Sequence, residues 1–122
     1  MKHSPGFLAL VADAKLRVKQ MDVAAYRAML DKGETHLLVD VREESEWMAG
    51  HAAGALHLSK GIIERDIEAR IPDKETCLVL YCGGGYRSAL AADALRLMGY
   101  ANVISLDGGW RAWNEASLPI ET

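Results

Sequence analysis

The chain has 122 residues, half of them hydrophobic and a quarter charged, enough for one soluble domain with a real core and too few for two. A net charge of −3 with both signs interspersed excludes the clustered Lys and Arg of a nucleic-acid footprint. The longest uncharged apolar stretch near the start, residues 7–12, is too short for a membrane span and runs straight into Asp13 and Lys15, unlike a signal peptide, so a cytoplasmic protein with no membrane partner is expected.

Ser4-Pro5 reads as an N-cap followed by proline at the first helical position. Phe7, Leu10, Val11 and Ala14 recur at helical spacing, which predicts a first helix near residues 5–16. Residues 18–21 form a short candidate strand. Asp22 caps a second helix whose face is Val23, Tyr26, Met29 and Leu30 and which Gly33 closes. Residues 36–41 are apolar on both faces until Asp40, as suits an interior parallel strand. A short helix carrying Trp47 is expected between Glu43 and Gly50, and a strand at residues 55–58. Ile62, Ile63, Ile67 and Ile71 line up for a helix that Pro72 stops. Leu78-Val79-Leu80-Tyr81 is the next strand. Leu90, Ala94, Leu97 and Met98 make a helical stripe ended by Gly99. A last strand at 103–106 is followed by a closing segment with Trp110 and Trp113, its turn capped by Asp107. Alternating strands and helices predict an α/β fold, with a mostly parallel sheet of about five strands and helices on both faces. Such sheets bind ligands beyond the C-terminal ends of their strands, so the turns at Asp40-Val41-Arg42-Glu43, Ser59-Lys60, Cys82 to Arg87 and Asp107-Gly108-Gly109 are expected to meet at one rim.

The chemistry is concentrated in Cys82-Gly83-Gly84-Gly85-Tyr86-Arg87-Ser88, a thiol in a glycine-rich turn between a strand and a helix. Three glycines place no Cβ in the way of a chain curling around a bound atom, so successive N–H groups can point inward as a nest. The free N–H groups and positive dipole end of the following helix, and the Arg87 guanidinium, favour negative charge at the sulfur. The dipole alone contributes only about 0.3–1 kcal/mol, so nest hydrogen bonds and Arg87 must supply the rest of the thiolate's stabilisation. The other cysteine, Cys77, lies five strand steps away, about 16 Å, on the opposite face. That separation excludes a disulfide and leaves Cys77 an inert core or edge residue. His3, His36, His51 and His57 form no ligand spacing with either thiol, and no metal or other cofactor is called for.

These motifs resemble those of single-domain rhodaneses, which are sulfurtransferases. The resemblance spans roughly residues 20–115 through Asp40-Val41-Arg42-Glu43, Gly50-His51 with Gly54-Ala55, Cys82 with Gly85 and Arg87-Ser88, and Leu106-Asp107-Gly108-Gly109-Trp110. It implies a rhodanese-like domain over residues 20–122, preceded by a helical extension over residues 1–19. It also implies that Cys82 takes a sulfane sulfur from thiosulfate or a persulfide donor, becomes a persulfide, and passes the outer sulfur to a thiophilic acceptor: cyanide, a thiol or a sulfur-relay protein. By the same resemblance the amides of Gly83, Gly84, Gly85, Tyr86, Arg87 and Ser88 and the Arg87 charge hold the transferred sulfur. An already ionised thiol needs no general base, and no His adjoins Cys82. Positions 83 and 86, often basic or polar in thiosulfate-using relatives, are Gly83 and Tyr86, which leaves thiosulfate fewer cations. Ala52-Ala53 also departs from the family's usual aliphatic and proline after Gly-His.

Asp40 and Arg42 are secondary candidates for substrate contact, although a carboxylate and guanidinium at adjacent strand ends more often tie loops together. Glu46 and His51 read as turn stabilisers, and the three tryptophans as core or rim. Two other functions compete. A Cys-dependent phosphatase or arsenate reductase would use the same Cys and Arg, but the related enzymes separate them by five residues and only four intervene here. A non-catalytic module would use the cradle or the tryptophan surface to hold a partner.

Overall fold

A computed structural model describes residues 2–122. In chain order the elements are α1 (Pro5–Lys15), β1 (Lys19–Met21), α2 (Val23–Asp31), β2 (Leu37–Asp40), α3 (Glu44–Ala49), β3 (His51–Ala52), β4 (Leu56–His57), α4 (Ile63–Arg70), β5 (Leu78–Tyr81), α5 (Tyr86–Leu97), β6 (Val103–Leu106), α6 (Gly109–Glu115) and β7 (Ile120–Glu121). Five strands form one all-parallel sheet in the order β1-β6-β5-β2-β4. β3 and β7 pair antiparallel beside it. This small ribbon has too few residues for any alternation to be read from sequence. Among the described residues no helix is long and apolar enough to cross a membrane.

Side-chain alternation along the strands assigns the two faces. Val39, Leu78, Leu80 and Val103 point to the side covered by α4 and α5, where they meet Ile63, Ile67, Ala91, Ala92 and Leu95. Leu38, Val79, Tyr81 and Leu106 point the other way, to Val23, Tyr26 and Met29 of α2 and Trp113 of α6. By the same parity Cys82 joins the first cluster and Cys77 packs beside the second, so the two thiols face opposite sides of β5, and both are free.

Four local expectations need correction. The buried face of α5 is Ser88, Ala89, Ala91, Ala92 and Leu95, whereas Leu97 is 74% exposed. Small residues let α5 approach the sheet closely, and α1 covers part of its outer side, so the largest side chains do not mark the core face. On α1 the buried residues are Val11 and Ala14, with Leu10 turned outward, and on α2 they are Val23, Tyr26 and Met29, with Leu30 exposed. Asp107 does not cap α6: the N-cap is Gly108, at φ +82°, and no side chain bonds to the helix start. Asp22 does cap α2, accepting from Ala25 N–H at 2.8 Å.

The C-terminal ends of β2 and β5 are joined by a buried polar network. Asp40, fully buried, accepts from the Arg42 backbone N–H (2.9 Å), from Arg42 Nε and Nη2 (3.1 and 2.8 Å) and from the Tyr81 hydroxyl (2.6 Å). Arg42 Nη2 also donates to the Gly50 carbonyl (2.7 Å), Ala52 N–H donates to the Tyr81 hydroxyl (3.0 Å), and the guanidinium lies 4.6 Å from the Trp110 ring centre. Burial works against the Arg42 charge, but hydrogen bonding and attraction to Asp40 outweigh it and hold the group more basic than usual. Burial, then the hydrogen bond to Asp40, pushes the Tyr81 phenol up.

Breaking such a pair strands a buried charge. Asp40→Ala should therefore lower unfolding stability by about 3–5 kcal/mol, read as a shift in the urea midpoint. A second constraint lies at Gly109, at φ +48°, where a Cβ would collide with the Cys82 carbonyl oxygen and press on the Gly83 carbonyl carbon. Gly109→Ala should cost at least about 2 kcal/mol in the same assay, from overpacking added to a left-handed backbone.

Candidate active site

β5 ends at Tyr81, and the chain curls through Gly83 and Gly84 to Gly85, whose φ of +101° makes it the N-cap of α5. A left-handed turn of that kind suits glycine, and it aims the first N–H groups of a twelve-residue helix back at residue 82. Cys82 Sγ points into the bend. It accepts from Gly85 N–H at 3.1 Å and from Ser88 N–H at 3.4 Å, and its thiol lies 3.5 Å from Ser88 Oγ as donor. Ser88 Oγ is in turn 2.8 Å from Ser105 Oγ on β6, so a pair of buried hydroxyls stands behind the sulfur. Among the described residues the N–H groups of Gly83, Gly84, Tyr86 and Arg87 have no protein acceptor. On the far side, α6 closes the loop: Trp110 N–H donates to the Cys82 carbonyl (2.7 Å) and Arg111 N–H to that of Gly83 (3.2 Å).

Residue 82 is only 1% exposed, yet it forms the floor of an open cleft of about 650 Å³. Gly83, Gly84, Tyr86, Arg87, Glu46 and Arg111 line its sides, and His3 and Phe7 reach it from the N-terminal segment. Arg87 does not point freely at the sulfur. Its Nη1 and Nη2 donate to Glu46 Oε1 and Oε2 at 2.7 and 3.1 Å, a bidentate pair. Hydrogen bonding to Arg87 comes first among the causes that hold the Glu46 carboxyl below its usual range. The same bond, with the nearby Cys82 sulfur and Glu43, raises Arg87 against the penalty of burial. Glu46 is fixed at the third position of α3 by a reciprocal capping box with Glu43, in which Glu43 N–H donates to Glu46 Oε1 (3.0 Å).

The rim is thus built from fewer turns than the four expected. The Cys82 loop, the start of α3 and the start of α6 supply it. Ser59-Lys60 does not line the cleft, because Lys60 N–H is turned to the Val41 carbonyl (3.0 Å) at the sheet's outer side. Asp40 and Arg42 do not line it either. They are spent on each other and on Tyr81 and Gly50, beneath the rim. Glu46 stabilises its turn as expected and also reaches Arg87, while His51 stays with the turn, its Nδ1 at 3.0 Å from the Trp47 carbonyl. Ser105, Arg111, His3 and Phe7 were not among the expected site residues. Ser105 alone carried a signal, as a polar residue inside the apolar run Val103-Ile104-Ser105-Leu106.

The model of the rhodanese-like domain matches residues 22–116. The thiosulfate sulfurtransferase GlpE of Vibrio cholerae is 36% identical over 101 residues, 83% of this chain and 92% of that protein. MoeZ of Mycobacterium tuberculosis, a probable adenylyltransferase/sulfurtransferase, is 33% identical over 117 residues, which is 93% of this chain but 30% of that protein. Among solved structures, a Rhodopseudomonas palustris protein of unknown function, described as a possible tyrosine phosphatase, superposes with a TM-score of 0.87 at 28% identity, covering 99% of this chain and 98% of its own. The human single-domain sulfurtransferase TSTD1 superposes with a TM-score of 0.70 at 27% identity, covering 80% and 96%. Matched in sequence over most of its length and in fold to known members, the chain belongs to the rhodanese-like domain family.

Proposed function

We propose that the protein is a sulfurtransferase that works through a persulfide on Cys82. The observation that carries this reading is the sulfur itself, which faces into an amide-lined bend at a helix start and forms the floor of an open cleft. Two donated N–H bonds stabilise negative charge on sulfur, and the thiolate is the attacking form in this reading. With thiosulfate, the Cys82 thiolate bonds to the outer sulfur, the S–S bond of the donor breaks, and its electron pair leaves with sulfite. The outer sulfur of the resulting persulfide anion would be held by N–H groups of the same loop, where those of Gly83, Gly84, Tyr86 and Arg87 have no acceptor among the described residues. In the second half-reaction a thiolate or cyanide attacks that outer sulfur and the Cys82 thiolate leaves. A thiol-bearing small molecule or a sulfur-relay protein are both acceptors of this chemistry, and the expected compartment is the cytoplasm.

A phosphatase reading is weaker for a specific reason. Phosphate transfer through a cysteine asks for an arginine that grips the phosphate oxygens, and both arms of Arg87 that bond to a carboxylate here are taken by Glu46. The four-residue spacing between Cys82 and Arg87 also makes a cradle one residue shorter than in the phosphatases.

Incubation with thiosulfate or an organic persulfide should add one sulfur atom to the intact mass, and Cys82→Ser should add none. Absence of the added sulfur with every donor, or Cys82-dependent hydrolysis of an aryl phosphate in its place, overturns the proposal. Glu46 supplies a second test. A carboxyl whose folded ionisation is depressed keeps its pairing with Arg87 at neutral pH and loses it only as pH falls through that lowered value. Glu46→Gln reproduces the unpaired state at neutral pH while keeping the capping box. It should release the Arg87 charge into the cleft and lower KM for dianionic thiosulfate about threefold to tenfold, an effect that weakens with added salt.

A further inference from the structure

Three aromatic rings stand over the mouth of the thiol cleft, and two of them come from a segment ahead of the residues the family model matches. His3 meets Tyr86 edge-on, with ring centres 4.7 Å apart. Phe7 lies 5.3 Å from His3 and 6.2 Å from Tyr86. The wall is anchored. Val11 and Ala14 bury α1 against α5, Arg17 donates to both carboxylate oxygens of Asp93 at 3.1 and 2.9 Å, and Lys15 sits 5.2 Å from the centre of the Tyr86 ring.

The cleft's charges are equally specific. Arg87 is matched by Glu46, and Arg111 is the one cation of the cleft wall that makes no ion pair among the described residues. One unmatched positive charge in the wall, with Lys15 set outside the lining over the Tyr86 ring, suits a monoanion better than a dianion. Thiosulfate has no apolar surface to set against three rings, and its volume is a small fraction of a cleft of about 650 Å³, a size typical of sites for organic ligands.

We propose that this site, on the sulfurtransferase reading above, selects monoanionic organic sulfane-sulfur donors with a ring-sized apolar body, and that His3, Phe7 and Tyr86 form the wall against which that body packs. For a donor of the thiosulfonate class, RSO2S−, the Cys82 thiolate bonds to the terminal sulfur, the bond between that sulfur and the sulfonyl group breaks, and its electron pair leaves with the sulfinate RSO2−. Two single negative charges enter and two leave, so no oxidant or reductant is required.

Benzenethiosulfonate and methanethiosulfonate share charge and reacting group and differ in the body, so the ratio of their kcat/KM values isolates the wall. Phe7→Ala should reduce the benzene-to-methane ratio about tenfold relative to the unsubstituted protein, and His3→Ala about threefold. His3 precedes α1 and contributes nothing to either core cluster, so its substitution tests the wall even if Phe7→Ala fails to fold. Ratios equal to that of the unsubstituted protein, or equal slowing with both donors, overturn the wall while leaving sulfur transfer intact. No Cys82-dependent transfer from either donor, with none from thiosulfate or an organic persulfide, overturns sulfur transfer and the wall together.

Discussion

The site depends on a pair of charges that lie beneath the cleft and do not line it. Asp40 and Arg42, both buried, tie the end of β2 to Tyr81 at the end of β5 and to the carbonyl of Gly50 beyond α3. Two strand ends and one turn are thereby held in a single register at the edge where the active loop begins. Such a pair is a poor source of net stability, because removing two charges from water costs about as much as their attraction returns. Its value is in what it forbids. A shifted β5 would carry the Tyr81 hydroxyl away from Asp40 and from the Ala52 N–H, leaving buried polar groups unpaired, so Tyr81 is pinned and the residue after it, Cys82, starts its loop from a fixed point.

From that point the sulfur's position follows from close approach. Gly109 allows α6 to press against the Cys82 and Gly83 carbonyls, and the hydrogen bonds from Trp110 and Arg111 hold those carbonyls outward. With its carbonyls engaged on the outside, the loop turns N–H groups inward, and Gly85 delivers the start of α5 to the sulfur. The cradle is thus made by two helices, one supplying donors and the other fixing the backbone that would otherwise compete for them. The Ser88–Ser105 hydroxyl pair closes the rear, so the cleft is the open side of the thiol.

Much of this was legible in the sequence because it is local. The run from Leu78 to Ser88 encodes a buried strand, a glycine turn and a helix start in consecutive residues, and parity alone separates Cys77 from Cys82. The parallel sheet and its two helical layers follow from alternation in the same way. What escaped depends on contacts between distant segments. The Arg87–Glu46 pair spans 41 positions, and nothing near either residue announces the other. Phe7 reads as one more apolar residue on an amphipathic helix until α1 is laid across α5, and α5 itself was misread because its buried face is alanine while its exposed Leu97 is large. The ribbon of β3 and β7 joins two-residue strands far apart in the chain, at residues 51–52 and 120–121, a pairing with no local period to betray it.

The allocation of charge around the sulfur decides what kind of chemistry the cleft favours. A cysteine enzyme that transfers phosphate needs its arginine for the transferred group, whose charge is spread over several oxygens. A persulfide carries one negative charge on one outer atom, and backbone N–H groups at hydrogen-bond distance stabilise it without help from a guanidinium. Pairing Arg87 with Glu46 is therefore costly for the first reaction and tolerable for the second. The same pairing offsets the guanidinium's charge beside the thiol, while Arg87 still lies close enough to the loop to feel the Cys82 sulfur. Glycine at position 83 lets that guanidinium approach, since a Cβ there would lie 3.2 Å from Arg87 Nη2. A basic side chain at 83 would crowd the pair and add the very charge that Glu46 offsets, so the absence of a cation at that position and the presence of the carboxylate express one requirement: a sulfur held by backbone N–H groups, in a cleft of low net charge.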